Sequence, residues 1–294
     1  MSKPERPQNL QGKESPRRPW LRGALLAAFT AAAAGGGIAA WHVTTPDSPY
    51  VHPRAAKAYH LPTRDCTEML LSDAPLPAAP RGNGQPVMVV PGFMGGEMTM
   101  SRLTGKLGAH GYTVYGWGQG VNTGISEDVV LGMGTKLNEI AQKHPGQKIA
   151  LVGFSLGGVY ARELARQFPD KVSQVITLGA PFSMTDKKGE LDPIMRRAYN
   201  AFNPPLNDEQ ESAGDTRSPL PVPTTSIVGM QDRMVNWRAS LNYAAPNTEN
   251  IPVNAGHLSL TRDARIADIV LHRLAAETEN WQPLAPKLCA PKAS

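Results

Sequence analysis

Six short apolar runs, separated by segments of helical period, limit what this chain can fold into. The runs fall at residues 86–90, 112–115, 148–152, 172–178, 224–228 and 250–253. Several lack the polar alternation of a half-exposed strand, so they predict strands covered on both faces. After the third run, Tyr160, Ala161, Leu164, Ala165 and Phe168 recur at helical spacing, while Arg162, Glu163, Arg166 and Gln167 fall on the other face and are expected to meet solvent. Ile266, Val270 and Leu274 repeat every four residues behind a cap at Thr261 or Asp263. Strands alternating with helices predict a three-layer α/β fold, a mostly parallel sheet of about six strands with helices on both faces. In such a sheet ligands bind beyond the carboxyl ends of the strands.

The 294 residues, 41% hydrophobic and 19% charged, suffice for one full core with extensions. Most of the formal charge of +5 resides in a leader where Lys3, Arg6, Lys13, Arg17, Arg18 and Arg22 outnumber Glu5 and Glu14. The rest is close to neutral, which argues against a nucleic-acid partner. Residues 23–41 carry no formal charge and are rich in Ala and Gly, the pattern of an export-signal core or of a membrane anchor with weak apolar drive. Arg17-Arg18 ahead of that stretch resembles a twin-arginine export signal, its serine displaced to Ser15. Gly37 and Ala39 offer a cleavage site, whereas retention leaves the chain anchored. The expectation is an exported bacterial protein, periplasmic, anchored in the inner membrane through residues 23–41, or secreted.

Residues 1–41 therefore read as signal or anchor, 42–83 as a Pro/Ala-rich linker and strap with a helix or short strand within 58–71, 84–285 as the main domain and 286–294 as a tail. The two cysteines, Cys66 and Cys289, flank most of that domain. An oxidising compartment would let them close one bridge; the alternative is two unrelated thiols.

The third apolar run leads into Gly153-Phe154-Ser155-Leu156-Gly157, ahead of the helix-period segment. A serine between glycines at a strand-to-helix turn is either a capped tight turn or a nucleophile presented on a sharp elbow. A serine hydroxyl needs a base, and the base an orienting carboxylate. His257 follows the sixth run and Asp232 the fifth, giving the order Ser, Asp, His. Plainer readings are a turn histidine among seven histidines and an aspartate opening a turn; Asp208 and Asp215 compete as the acid but lie where no strand pattern exists. The developing negative charge on a reacting carbonyl needs two N–H donors. Leu156 supplies one and the loop Pro91-Gly92-Phe93-Met94-Gly95-Gly96 the other, with Phe93 the best candidate.

These segments, with Gly229 to Asp232 and Gly256-His257, resemble the α/β-hydrolase superfamily, particularly its small bacterial lipases and esterases, over roughly residues 84–285. The resemblance implies Ser155 as nucleophile, Asp232 as acid, His257 as base and Phe93 with Leu156 as oxyanion donors, and no metal or organic cofactor. Pro91 departs from many relatives, which carry histidine before the glycine. The short approach to the first strand implies that the leading antiparallel strands of larger relatives are absent.

The expected activity is hydrolysis of a small-molecule or lipid carboxylic ester through an acyl-enzyme. An acyltransferase on the same fold and a non-catalytic binding module are the alternatives. Residues 183–221, with Pro193, Pro204, Pro205 and the run Asp208-Glu209-Gln210-Glu211, are long enough for a short lid insertion. Met94, Met98, Met100, Met230 and Met234 stand near strand ends, where they line an acyl pocket or fill core gaps.

Overall fold

A computed structural model of the chain describes residues 59, 61–72, 74–124, 126–182 and 219–289. Six strands, β1 (Pro86–Val90), β2 (Thr113–Gly116), β3 (Ile149–Phe154), β4 (Val172–Leu178), β5 (Thr224–Gly229) and β6 (Thr248–Val253), pair in the order β2-β1-β3-β4-β5-β6. Every pairing is parallel. The helices are α1 (Arg64–Leu71), α2 (Ser101–Ala109), α3 (Glu127–Lys143), α4 (Leu156–Gln167), α5 (Ala264–Ala275) and the single turn α6 (Ala285–Leu288). From β1 the chain steps outward to β2, then returns past β1 to β3 and proceeds the other way. This reversal puts the topological switch point between β1 and β3, the place where such sheets bind ligands.

The apolar runs become strands because every residue of β1, β3, β5 and β6 is buried. Side chains alternate between faces. Val87 and Val89 join Leu103 and Leu107 of α2 and Ile266, Ile269 and Val270 of α5. Met88 and Val90 join Met133 and Leu137 of α3 and Val159, Tyr160 and Leu164 of α4. Two apolar layers thus sandwich the sheet, and they hold the strand ends that carry the site. Asp263, one of the two anticipated caps, accepts from the N–H groups of Arg265 at 2.7 Å and Ile266 at 3.3 Å and starts α5.

Several boundaries move. β3 continues to Phe154 because Gly153 and Phe154 pair with Thr177 and Leu178. β2 starts at Thr113 rather than Tyr112, and β6 begins at Thr248 because Thr248 and Glu249 pair with Thr224 and Thr225. No described strand precedes β1.

Helix α4 corrects the expected solvent face. Arg162 and Glu163 are buried, at 2% and 5% exposure. Arg162 donates to Asn242 Oδ1 at 2.8 Å and its guanidinium lies 4.0 Å from the Phe182 ring centroid, so chain beyond β4 and β5 wraps the outer side of α4. Burial pushes the Glu163 carboxyl up, against the opposing pull of the Gln167 amide and the Arg166 guanidinium.

Within the strap, α1 packs against the β6 side of the sheet and is held by Arg265, which donates to the carbonyls of Leu70 at 2.6 Å, Met69 at 3.0 Å and Ala74 at 2.9 Å. Cys66 of α1 is bridged to Cys289 behind α6, with Cα atoms 5.3 Å apart. Residues 1–41, and with them the proposed signal or anchor, lie outside the described residues, as do 183–218 of the expected lid. Among the described residues no helix is long and apolar enough to cross a membrane.

Candidate active site

Ser155 is the hinge between β3 and α4, with φ 51° and ψ −125°. Only Met94 shares a positive φ among the described non-glycine residues, and such backbone costs about 1–3 kcal/mol, held by surrounding structure. The hydroxyl makes no capping hydrogen bond to α4, so the plain reading of a serine-capped turn does not hold. The backbone is fixed instead: Ser155 N–H donates to Leu178 C=O at 2.9 Å, and its own C=O accepts from Gly158 N–H at 2.9 Å.

Glycines make the elbow possible by allowing contact. A Cβ at 153 would strike the backbone of Gly157 and Gly158, and one at 157 would strike the carbonyl oxygens of Val90 and Pro91. The first turn of α4 therefore packs directly on the ends of β1 and β3. Its leading N–H groups have no acceptor within the helix and carry the positive end of its dipole toward Ser155.

Asp232 and His257 come together from the ends of β5 and β6. His257 Nδ1 and Asp232 Oδ2 are 2.6 Å apart, with side chains 4% and 1% exposed. Asp232 Oδ1 accepts from the N–H groups of Met234 at 2.9 Å and Val235 at 2.8 Å. An ionised carboxylate only accepts, so the short contact assigns the proton to Nδ1 and leaves Nε2 as the basic nitrogen. The His257 ring lies 4.7 Å from that of Phe154, the residue before Ser155. Gly179, φ 55°, closes the floor: a Cβ there would lie 3.2 Å from Asp232 Oδ2 and 3.4 Å from His257 Nδ1.

The loop after β1 lies against the same elbow. A Cβ on Gly92 would come within 2.9 Å of Ser155 Cβ. Gly95 N–H donates to Gly92 C=O at 2.9 Å, closing a turn with Phe93 and Met94 at its centre, and Phe93 packs half-buried against the core. Leu156 is fully buried at the start of α4. The loop is not a loose glycine turn. Asn122, from the loop after β2, bonds to it through side chain and backbone. The sequence reading passed over Asn122; the one local signal is an asparagine between Gly120 and Gly124 beyond the carboxyl end of a parallel strand.

The methionines divide. Met100 and Met230 are core residues at 1% and 4% exposure, whereas Met94 and Met98 are 51% and 85% exposed. His110, His144 and His272 are engaged elsewhere, by Ala79 C=O, Tyr115 Oη and Pro77 C=O. Asp208 and Asp215 lie outside the described residues. Among the described residues no group of three or more His, Cys, Asp or Glu side chains is arranged to hold a metal ion.

A family model described as alpha/beta hydrolase fold matches residues 133–198, a span that begins within α3 and includes the elbow, α4 and β4. No curated protein matches the chain. Similar solved structures include one of the metagenome-derived lipolytic enzymes LipS and LipT, at 17% identity and TM-score 0.48, covering 70% of this chain and 97% of that one. An α/β hydrolase from a lagoon-sediment metagenome is 17% identical, with TM-score 0.46 and coverages of 69% and 95%. Naproxen esterase from Bacillus subtilis is 15% identical, with TM-score 0.44 and coverages of 67% and 85%. The six-stranded parallel sheet, the helices around it and the family match give this chain the α/β-hydrolase fold.

Proposed function

We propose that the protein is a serine hydrolase of carboxylic esters, with Ser155 as nucleophile, His257 as general base and Asp232 as its orienting acid. The observation that carries this reading is the buried 2.6 Å contact between His257 Nδ1 and Asp232 Oδ2, beside a serine held at positive φ. His257 Nε2 takes the Ser155 proton as Oγ attacks the ester carbonyl, and the imidazolium is stabilised by Asp232. The N–H groups of Leu156 and Phe93 receive the oxyanion, each worth about 2.7–4 kcal/mol of barrier. The tetrahedral intermediate collapses, His257 protonates the departing alkoxide, and water repeats the sequence to release the acid. Export of the chain, with residues 23–41 as signal or anchor, is proposed on the sequence alone.

The test is hydrolysis of chromogenic acyl esters from short to long chain, by the wild-type protein and Ser155→Ala, alongside labelling by a fluorophosphonate. The expected result is turnover and labelling in the wild type and neither in the variant. A folded wild type that does neither at any chain length overturns the reading.

A further inference from the structure

We infer that Asn122 is the positioning residue of the oxyanion loop: it clamps the turn 92–95 so that the Phe93 N–H is held toward Ser155. This rests on the ester-hydrolase reading above and extends it to a residue outside the triad.

Asn122 is completely buried, an expensive place for an amide unless its polar atoms are matched. They are. Its Nδ2 donates to Pro91 C=O at 2.9 Å and its Oδ1 accepts from Gly124 N–H at 3.2 Å. Its backbone N–H donates to Gly95 C=O at 2.8 Å and its C=O accepts from Met94 N–H at 2.6 Å. Three of the four bonds reach across to the loop after β1, gripping it at both ends of the short segment that contains Phe93.

The geometry of that segment explains why a grip is needed. Gly92 C=O is tied inside the turn by Gly95 N–H at 2.9 Å. In a trans peptide the C=O and the following N–H point in opposite directions, so the Phe93 N–H is turned out of the turn. The turn has a positive φ at its third position, as in type II turns, where glycine or asparagine is usual. Here the residue is Met94, at φ 57°. Left to itself a methionine relaxes out of this conformation, the turn closed by Gly95 N–H on Gly92 C=O opens, and the Gly92–Phe93 peptide that the turn orients is released. Asn122 bonds on both sides of Met94, to its N–H and to the carbonyl of Gly95.

The clamp is anchored to the nucleophile's own helix. Tyr160 of α4 donates its hydroxyl to Gly124 C=O at 2.5 Å, and Gly124 N–H is the group held by Asn122 Oδ1. Pro91 C=O, the acceptor of the Asn122 amide, is also the oxygen that a Cβ on Gly157 would strike. Elbow and oxyanion loop are thereby registered to one another through Asn122, and Pro91 has no side-chain donor with which to brace the loop itself.

The experiment compares wild type, Asn122→Ala, Asn122→Ala/Met94→Gly, Met94→Val and Ser155→Ala on one chromogenic ester, with inhibition by an alkyl boronic acid, which becomes tetrahedral on the serine. Displacing an oxyanion donor predicts a fall in kcat of roughly 10- to 100-fold in Asn122→Ala with KM within about threefold, and boronate affinity reduced in parallel with kcat. Glycine adopts positive φ without help, so Met94→Gly in the Asn122→Ala background recovers a large part of kcat. Should Asn122→Ala fail to fold, Met94→Val decides: residue 94 is half exposed, and a β-branched side chain at positive φ lowers kcat without unfolding the protein. Any of three results overturns the assignment: a folded Asn122→Ala with wild-type kcat, an equal loss in KM and kcat with unchanged boronate affinity, or a wild-type kcat in Met94→Val. If the wild type shows no Ser155-dependent turnover, the ester-hydrolase reading falls, and the assignment of Asn122 with it.

Discussion

Two buried acid–base pairs stand near one another in the sequence, and the proposed ester-hydrolase function gives them different tasks. At the carboxyl ends of β5 and β6, His257 meets Asp232 at 2.6 Å; on β6 and α5, Arg273 meets Glu249 at 3.1 Å. Both pairs are almost wholly withdrawn from solvent. The second is a strut. Glu249 Oε1 also accepts from Thr225 Oγ1 at 2.8 Å, and its Oε2 accepts from Leu284 N–H at 2.7 Å, while Arg273 Nη1 donates to Gln282 C=O at 3.0 Å. It ties β5, β6, α5 and the C-terminal segment together, and an arginine cannot release its proton. In the first pair the acid is satisfied by its own loop, and its partner is an imidazole, whose two ring nitrogens can serve as donor and acceptor. On that proposal, what separates a proton relay from a girder is the chemistry of the base, not burial or distance.

The largest expected effect breaks the comparison on the relay side. Asp232→Asn removes the acceptor that fixes the His257 tautomer, and kcat is expected to fall about 10⁴-fold. Thermal unfolding shifts little, because the isosteric amide still accepts from Met234 and Val235 through Oδ1. A steady-state assay beside a melting curve checks this, and a kcat within tenfold of wild type would falsify the tautomer argument. On the girder side, Glu249→Ala leaves Arg273 charged, buried and unpaired, at a cost of about 3–5 kcal/mol. Denaturant unfolding measures the loss, and kcat per folded molecule stays at the wild-type value. A large fall in kcat at undiminished stability would move Glu249 to the catalytic side.

Opening the Cys66–Cys289 bridge sharpens the same contrast. The bridge spans 223 residues, and a native disulfide typically contributes about 2–4 kcal/mol, mainly by restricting the unfolded chain. Cys66 Sγ lies 3.3 Å from Ala285 C=O, so bridge and strut secure the same C-terminal segment. Cys66→Ser/Cys289→Ser, or reduction by a dithiol, is expected to lower stability by that amount with kcat unchanged at 25 °C. Combined with Glu249→Ala, the two losses are expected to fall short of additive, since both release one element.

The sequence and the structure agree best where a pattern reports its own surroundings. β1 and β4 have the boundaries their apolar runs indicate, and Ser155, Asp232 and His257 stand at the carboxyl ends of β3, β5 and β6, as the strand pattern required. The outer face of α4 was misread because helical periodicity knows only its own helix: Arg162 and Glu163 are buried by chain beyond β4 and β5. Asn122 escaped notice because half of its work is done by backbone bonds, which no side-chain pattern records. Met94 was visible as a loop and pocket methionine, but not its positive φ, which is imposed by neighbours and is not a preference of methionine. The two cysteines suggested a bridge by number and position alone, and only the packing of α1 beside α6 brings their Cα atoms within 5.3 Å.

The smallest expected effect concerns a buried polar group that belongs to neither pair. Tyr112 is 5% exposed, and its hydroxyl has no hydrogen-bond partner among the described residues. Burial pushes its phenol up to about 12, from an ordinary value of 10.0. The folded protein thus resists ionisation that the unfolded chain accepts: the stability tied to this group is intact below pH 10 and is lost as pH rises from 10 toward 12. Tyr112→Phe removes a hydroxyl that gained no partner on folding, so at pH 7 it is expected to raise stability, by less than about 1 kcal/mol. Above pH 10 the variant loses stability less steeply than wild type, because only the wild type carries the buried phenol. Urea unfolding at pH 8 and pH 11 separates the two proteins. Parallel declines would mean that water reaches the Tyr112 hydroxyl, and that a buried group without a partner is less costly here than the fully matched charges of Glu249 and Asp232 imply.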